Sequence, residues 1–180
     1  MWAMVRGAGN SGRIGGSVMT MAILTWLVAI PMLGMVTGMR TMMGMAVLCW
    51  FAYLGHLPVE DTWAFWAGKL VTAIVFTVLA AGELVGDKLP KTPNRTDPGP
   101  LGARVVFAGL IGAIVATALG GSTIEGVILC VGGALIGAFG GFLIRRELVL
   151  QLGGKDWPVA VLEDVIAVGC AVLAMGVVTG

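Results

Sequence analysis

The chain has 180 residues, of which 58% are hydrophobic and 12% charged, and its formal net charge is +1. Soluble domains carry about a quarter charged residues, so this composition excludes an ordinary soluble protein and predicts one integral membrane domain over residues 1–180. A net charge near zero also argues against a nucleic-acid partner, because binding to phosphate backbones needs a basic face.

Residues 1–17 form a short N-terminal tail. Six apolar segments are predicted after it, near 18–38, 41–55, 63–86, 102–120, 126–144 and 157–178. Continuous apolar runs favour helices, since backbone groups in a bilayer must find hydrogen-bond partners within the chain. The predicted fold class is therefore all-α, a polytopic membrane helix bundle of five or six membrane segments. We expect a homo-oligomer, because so small a bundle encloses little volume.

The first two segments are irregular. Pro31, Gly34 and Gly38 interrupt the first, and the second is short. This pattern predicts broken helices or a re-entrant hairpin instead of two full crossings. Irregular backbone at membrane depth is tolerated where protein covers it or where it lines a water-filled cavity.

Methionines recur every four residues in this region, at Met35, Met39 and Met43. Thioethers on one helix face would suit Cu(I), but methionine is also an adaptable filler of apolar gaps. We favour packing and predict no metal or cofactor, with a Cu(I) site as the alternative.

Lys and Arg concentrate in two loops, which predicts that both are cytoplasmic. One is a proline-rich basic loop, residues 87–101, whose candidate lipid-contacting residues are Lys88, Lys91, Arg95 and, just after it, Arg104. Basic segments of this kind are attracted to anionic headgroups. The second loop follows the fifth segment.

Glycines are dense in the fourth and fifth segments, and Gly133 and Gly137 form a GxxxG motif that predicts close helix packing. Three segments lie on each side of the basic loop. The two halves are therefore a candidate inverted 3+3 repeat of the kind found in transporters.

Four charged residues fall inside or beside apolar segments: Arg40, Glu83, Glu163 and Asp164. Because a charge at the bilayer centre costs roughly 3 kcal/mol or more, we expect Arg40 to pair with Glu83 or with the Glu163/Asp164 couple. Neighbouring residues on a helix point about 100° apart, so only one of that couple can face a given cavity, and we prefer Glu163.

Two interpretations of these charges remain. In one, Arg40 caps a turn at headgroup level, while Glu83 and Asp87 meet the basic loop on one helix face. In the other, the carboxylates take up a proton or cation along a polar path, and Arg40 is their counter-charge.

Several short motifs together resemble a known bacterial membrane family. They are Gly38-Met39-Arg40, the run from Gly82 to Pro90 (GELVGDKLP), Arg104 and Glu163-Asp164. The chain resembles the family catalogued as domain of unknown function 4126. That resemblance implies a location in the bacterial inner membrane and points to these residues, and it implies no substrate.

The predicted function is a transporter or channel for a small solute or ion, with Arg40, Glu83, Asp87 and Glu163 or Asp164 along its path. The alternative is a non-transporting membrane module that binds lipid or a partner protein through the basic loop, and a Cu(I) conduit is third. An enzyme is not predicted, because the histidine and cysteines are scattered: His56, Cys49, Cys130 and Cys170.

Overall fold

A computed structural model describes residue 23 and residues 25–86, 97–151 and 156–180, with the backbone alone at 156 and 157. Within these ranges the chain is helical and contains no strand. The helices are α1 (Ile30–Met39), α2 (Thr41–Tyr53), α3 (Leu70–Gly86), α4 (Pro98–Ala118), α5 (Thr123–Gln151) and α6 (Asp156–Thr179). A π-helical turn, Thr25–Ala29, precedes α1, and a 3₁₀ turn, Phe65–Gly68, precedes α3.

Three of the described helices are long and apolar enough to cross a membrane: Pro98–Ala118, Thr123–Gln151 and Pro158–Thr179. The shorter apolar helices are Thr25–Met39, Thr41–Tyr53 and Leu70–Gly86. The all-α class is confirmed, and the helices are compatible with a membrane protein. The number of crossings, five or six, stays a prediction. Helix α5 continues past its predicted end at 144 to Gln151.

Helices α1 and α2 form a hairpin whose turn is the single residue Arg40. Its backbone is extended, with φ −136° and ψ 105°, so the helical path stops there and restarts in a new direction. On the returning arm, Gly44 lies beside the Thr37 side chain and near the Leu33 carbonyl. The break predicted in the first two segments is therefore present, and a re-entrant path through the membrane stays a prediction.

Both arms of the hairpin reach the same end of the bundle, which we call the entry end. Near the start of α1, the Thr25 hydroxyl lies 3.4 Å from the Val177 carbonyl, close to the end of α6. Near the start of α3, the Trp63 indole N–H donates to the Thr117 hydroxyl, close to the end of α4, over 3.1 Å. Arg40 therefore points away from the entry end, towards the end where α3 finishes and α4 begins.

The two halves of the chain run in opposite directions through the bundle. Helix α3 leaves the entry end, whereas α4 returns to it, and α5 and α6 repeat this alternation. The first half contains the short hairpin arms and the second half three long helices. The inverted repeat therefore stays a prediction.

Glycines allow α1 and α5 to touch through their backbones. A Cβ on Gly34 or Gly38 would overlap the carbonyl of Cys130 or Ala134 on α5, and a Cβ on Gly137 would overlap the Met35 carbonyl. The predicted close packing at Gly133 and Gly137 is confirmed, and the partner of this motif is α1 of the same chain.

Large aliphatic side chains fill the space between the hairpin and α4. The fully buried ones include Ile30, Leu33, Leu48, Ile111 and Ile114. Others face outward from α3, α5 and α6, among them Val71, Val78, Ile136, Leu143 and Leu173. An exterior with so many exposed aliphatic side chains suits a surrounding of lipid.

We expect Gly137→Ala to destabilise the protein by about 1–3 kcal/mol, because the added methyl group would push α5 away from α1. Gly132→Ala is the matched control, since a Cβ there meets no atom within 4 Å. Thermal unfolding in detergent micelles would compare the two. Equal melting temperatures for both variants would contradict the backbone contact.

Candidate functional site

The site is built around the ends of two helices that meet at Arg40. The last turn of α1 and the first turn of α2 leave backbone carbonyl and N–H groups without partners inside their helices. The Arg40 N–H donates to the Val36 carbonyl over 2.7 Å. The remaining groups need partners from elsewhere, because a buried polar group without a hydrogen bond costs about 1–3 kcal/mol.

Glu83, near the end of α3, caps the start of α2. Its two carboxylate oxygens accept the N–H groups of Thr41, at 2.8 Å, and Met42, at 2.9 Å. A carboxylate at this position is also favoured by the positive end of the helix dipole. Glu83 therefore directs its charge at the backbone of the hairpin, and not at Arg40 as one predicted pairing required.

Arg104, in the second turn of α4, caps the end of α1. Its Nη1 donates to the Gly38 carbonyl over 2.7 Å, where a cation complements the negative end of the helix dipole. The side chain is only 4% exposed. Arg104 was predicted to contact lipid headgroups beside the basic loop, but the structure places it inside the bundle.

Arg40 itself forms an ion pair with Asp164 on α6. Its Nη2 lies 2.7 Å from the Asp164 Oδ1, and the two side chains are 1% and 16% exposed. The predicted pairing with the Glu163/Asp164 couple is thus found, through Asp164 and not the preferred Glu163.

Glu163 faces another direction, as the angle between helix neighbours requires. Its carboxylate lies 3.4 Å from Arg145 Nη1 on α5. Glu163 is also buried, with 7% of its surface exposed. The adjacent carboxylates of α6 therefore form ion pairs with two different arginines.

We define the Arg40 site as Arg40, Glu83, Arg104 and Asp164. Two cations and two carboxylates come together from the hairpin turn, α3, α4 and α6. Glu83 precedes the end of α3 at Gly86 by three residues, about 5 Å along the axis. The site thus lies near the end of the bundle where α3 finishes and α4 begins, and the buried aliphatic core separates it from the entry end.

The sequence did not reveal the capping role of Arg104. The fourth segment was predicted to begin at 102, which put Arg104 at the membrane surface, whereas α4 begins at Pro98. The proline in the first turn was the available signal, since proline is favoured at that position of a helix.

Four predicted residues lie outside the described residues: Asp87, Lys88, Lys91 and Arg95. Their assignments to the polar path and to lipid contact stay predictions.

The methionines do not form one stripe. Met35 and Met39 belong to α1, but Met43 belongs to α2 and packs beside Val36 and Ala167. The four-residue spacing assumed a continuous helix, and the break at Arg40 interrupts it. In the part of the chain that the structure describes, no three Cys, His, Asp or Glu side chains are grouped as metal ligands.

Comparisons with protein-family models, with curated proteins and with solved structures found no match to this chain. The resemblance noted from the sequence motifs therefore stays a prediction.

Removing one partner of the Arg40–Asp164 pair should destabilise the fold far more than removing both. We expect Arg40→Met or Asp164→Leu alone to cost about 3–5 kcal/mol, because each leaves a charge in an apolar interior. The double variant should cost clearly less than the sum of the two, as measured by unfolding in a double-mutant cycle. Lys69→Met, at an exposed lysine, is the control and should be nearly neutral. Additive effects would show that the two residues are not coupled.

Proposed function

We propose that the protein is a multi-pass membrane transporter or channel for a small solute or ion, and that its polar path runs through the Arg40 site. The observation that supports this most is the helix break whose two ends are capped by Glu83 and Arg104. Broken helices whose ends meet inside the membrane are a recurring design of substrate sites in transporters.

The chemistry of the site suits uptake of a proton or a cation. Glu83 and Asp164 supply two carboxylates, and Arg40 is the counter-charge that holds Asp164 when no ion is bound. Each charge sits on a different chain segment. A movement of one helix against the others would therefore change the pairing and open or close the path.

The aliphatic core is the closed gate in this proposal. Ile30, Leu33 and Leu48 of the hairpin are completely buried and lie between the Arg40 site and the entry end. Conduction would require the hairpin arms to separate from α4. The basic loop, on the other side of the site, would face the cytoplasm of a bacterial cell, and the protein would act as a homo-oligomer without a catalytic residue.

The second candidate is a non-transporting module that binds lipid or a partner protein. In that case the charges of the Arg40 site serve only to hold the hairpin. The divided methionine stripe gives no support to the third candidate, a Cu(I) conduit.

The proposed topology places the loop before α3 and the loop after α4 on one side of the membrane. In a chain whose native cysteines are replaced by serine, we expect His56→Cys and Ser122→Cys to react with a membrane-impermeant maleimide from the periplasmic side. Gln151→Cys should react only from the cytoplasmic side. Labelling of His56→Cys and Ser122→Cys from opposite sides would contradict this topology, because α3 and α4 would then not both cross the membrane.

Transport itself is tested by flux into proteoliposomes for protons, Na⁺, K⁺, Cl⁻ and phosphate. We expect at least one flux that Glu83→Gln and Asp164→Asn reduce tenfold or more, because both variants keep the side-chain shape and remove the charge. Glu60→Gln, at an exposed carboxylate in the loop before α3, is the control for a change of charge outside the path.

Size-exclusion profiles and melting temperatures must show that each variant is folded. The absence of flux for every ion, with the wild-type protein folded and correctly inserted, would favour the non-transporting module.

A further inference from the structure

An apolar groove runs between α5 and α6 on the outside of the bundle, with α1 as its floor. Its volume is about 220 Å³. The lining is almost entirely aliphatic and includes Met35, Met39, Gly140, Ile144, Leu162 and Ile166. Ile144, Leu162 and Ile166 are exposed in the structure, so the groove opens sideways, in the direction where a helix bundle meets lipid.

A second hollow adjoins the groove towards the end of α5. It has a volume of about 380 Å³ and is lined by Phe142, Arg145, Arg146, Val149 and Leu150. Arg145 borders both spaces. The apolar groove therefore leads into a hollow that carries two arginines.

The order of these two spaces along α5 matches the order of groups in a phospholipid. Arg145 precedes the end of α5 at Gln151 by six residues, about 9 Å at the helical rise. Along α5 the groove is lined from Ile136 to Leu148 and the hollow from Phe142 to Leu150, so the hollow is displaced towards the helix end. Aliphatic side chains thus lie at the depth of acyl chains, and the arginines lie nearer the helix end.

We propose that this is a binding site for an anionic phospholipid, with one acyl chain in the groove and the phosphate between Arg145 and Arg146. Guanidinium groups match phosphate oxygens in charge and in the geometry of paired hydrogen bonds. Arg145 is positioned by its contact with Glu163, while Arg146 is exposed. This inference does not depend on transport.

Such a lipid would touch the hairpin directly. Met35 and Met39 form part of the groove floor, and Met39 is the residue before the break at Arg40. Glu163, which contacts Arg145, is the neighbour of Asp164, which pairs with Arg40. The bound lipid would therefore stabilise the same helices that hold the Arg40 site.

Native mass spectrometry of the full chain in detergent would count bound dioleoylphosphatidylglycerol and dioleoylphosphatidylcholine. We expect the anionic lipid to bind in a saturable manner and more tightly. Arg146→Gln should weaken its binding about fivefold, the effect of roughly one basic residue near an anionic headgroup, and leave phosphatidylcholine unaffected.

Gly140→Leu tests the groove itself. A Cβ at Gly140 meets no atom within 4 Å, so the new side chain should occupy the groove without disturbing the fold and weaken the binding of both lipids. Gly132→Leu is the matched control, because that glycine also has open space but does not line the groove.

The proposal would be overturned if the two lipids bound equally tightly and Arg146→Gln left their binding unchanged. It would also be overturned if Gly140→Leu did not alter lipid binding. If Gly140→Leu changed the oligomeric state and not lipid binding, the groove would belong to contacts between copies of the chain, and the lipid site would be excluded.

Discussion

The break in the helix at Arg40 determines how the rest of the bundle is arranged. Two helix ends meet there, and their N–H and carbonyl groups need hydrogen-bond partners from other helices. Glu83 accepts the N–H groups at one end and Arg104 donates to a carbonyl at the other, so each charge also opposes the local helix dipole. The positions of α3 and α4 follow from this requirement, because each must bring its charged residue to the correct helix end.

Close backbone packing holds the hairpin against α5. In lipid, helices gain little from burying apolar surface and associate mainly through van der Waals contact. Gly34 and Gly38 on α1, with Gly133 and Gly137 on α5, remove the side chains that would keep the two backbones apart. Helix α5 packs against α4 in the same way at Gly112 and Gly126. It thus packs through glycines against both α1 and α4, and another of its faces borders the lateral groove.

Helix α6 connects the two proposed sites. Asp164 points towards Arg40 and the interior, whereas its neighbour Glu163 points towards Arg145 at the rim of the groove. A rotation of α6 about its axis would displace both ion pairs together, because the two carboxylates are fixed to adjacent positions of one rigid helix. Through this helix, the lipid proposed to bind in the groove would be linked mechanically to the charges at the helix break.

The sequence by itself determined the properties that depend on neighbouring residues. Apolar runs predicted the helices, Gly133 and Gly137 predicted close packing, and the interruptions around Pro31 and Gly38 predicted a broken first hairpin. Only the tertiary structure decided that Arg40 is the turn, that Asp164 is its partner and that Arg104 reaches Gly38 across the chain. Those contacts depend on the rotation and depth of each helix against its neighbours. Rotation and depth are set by packing between distant segments, so they cannot be predicted from local composition.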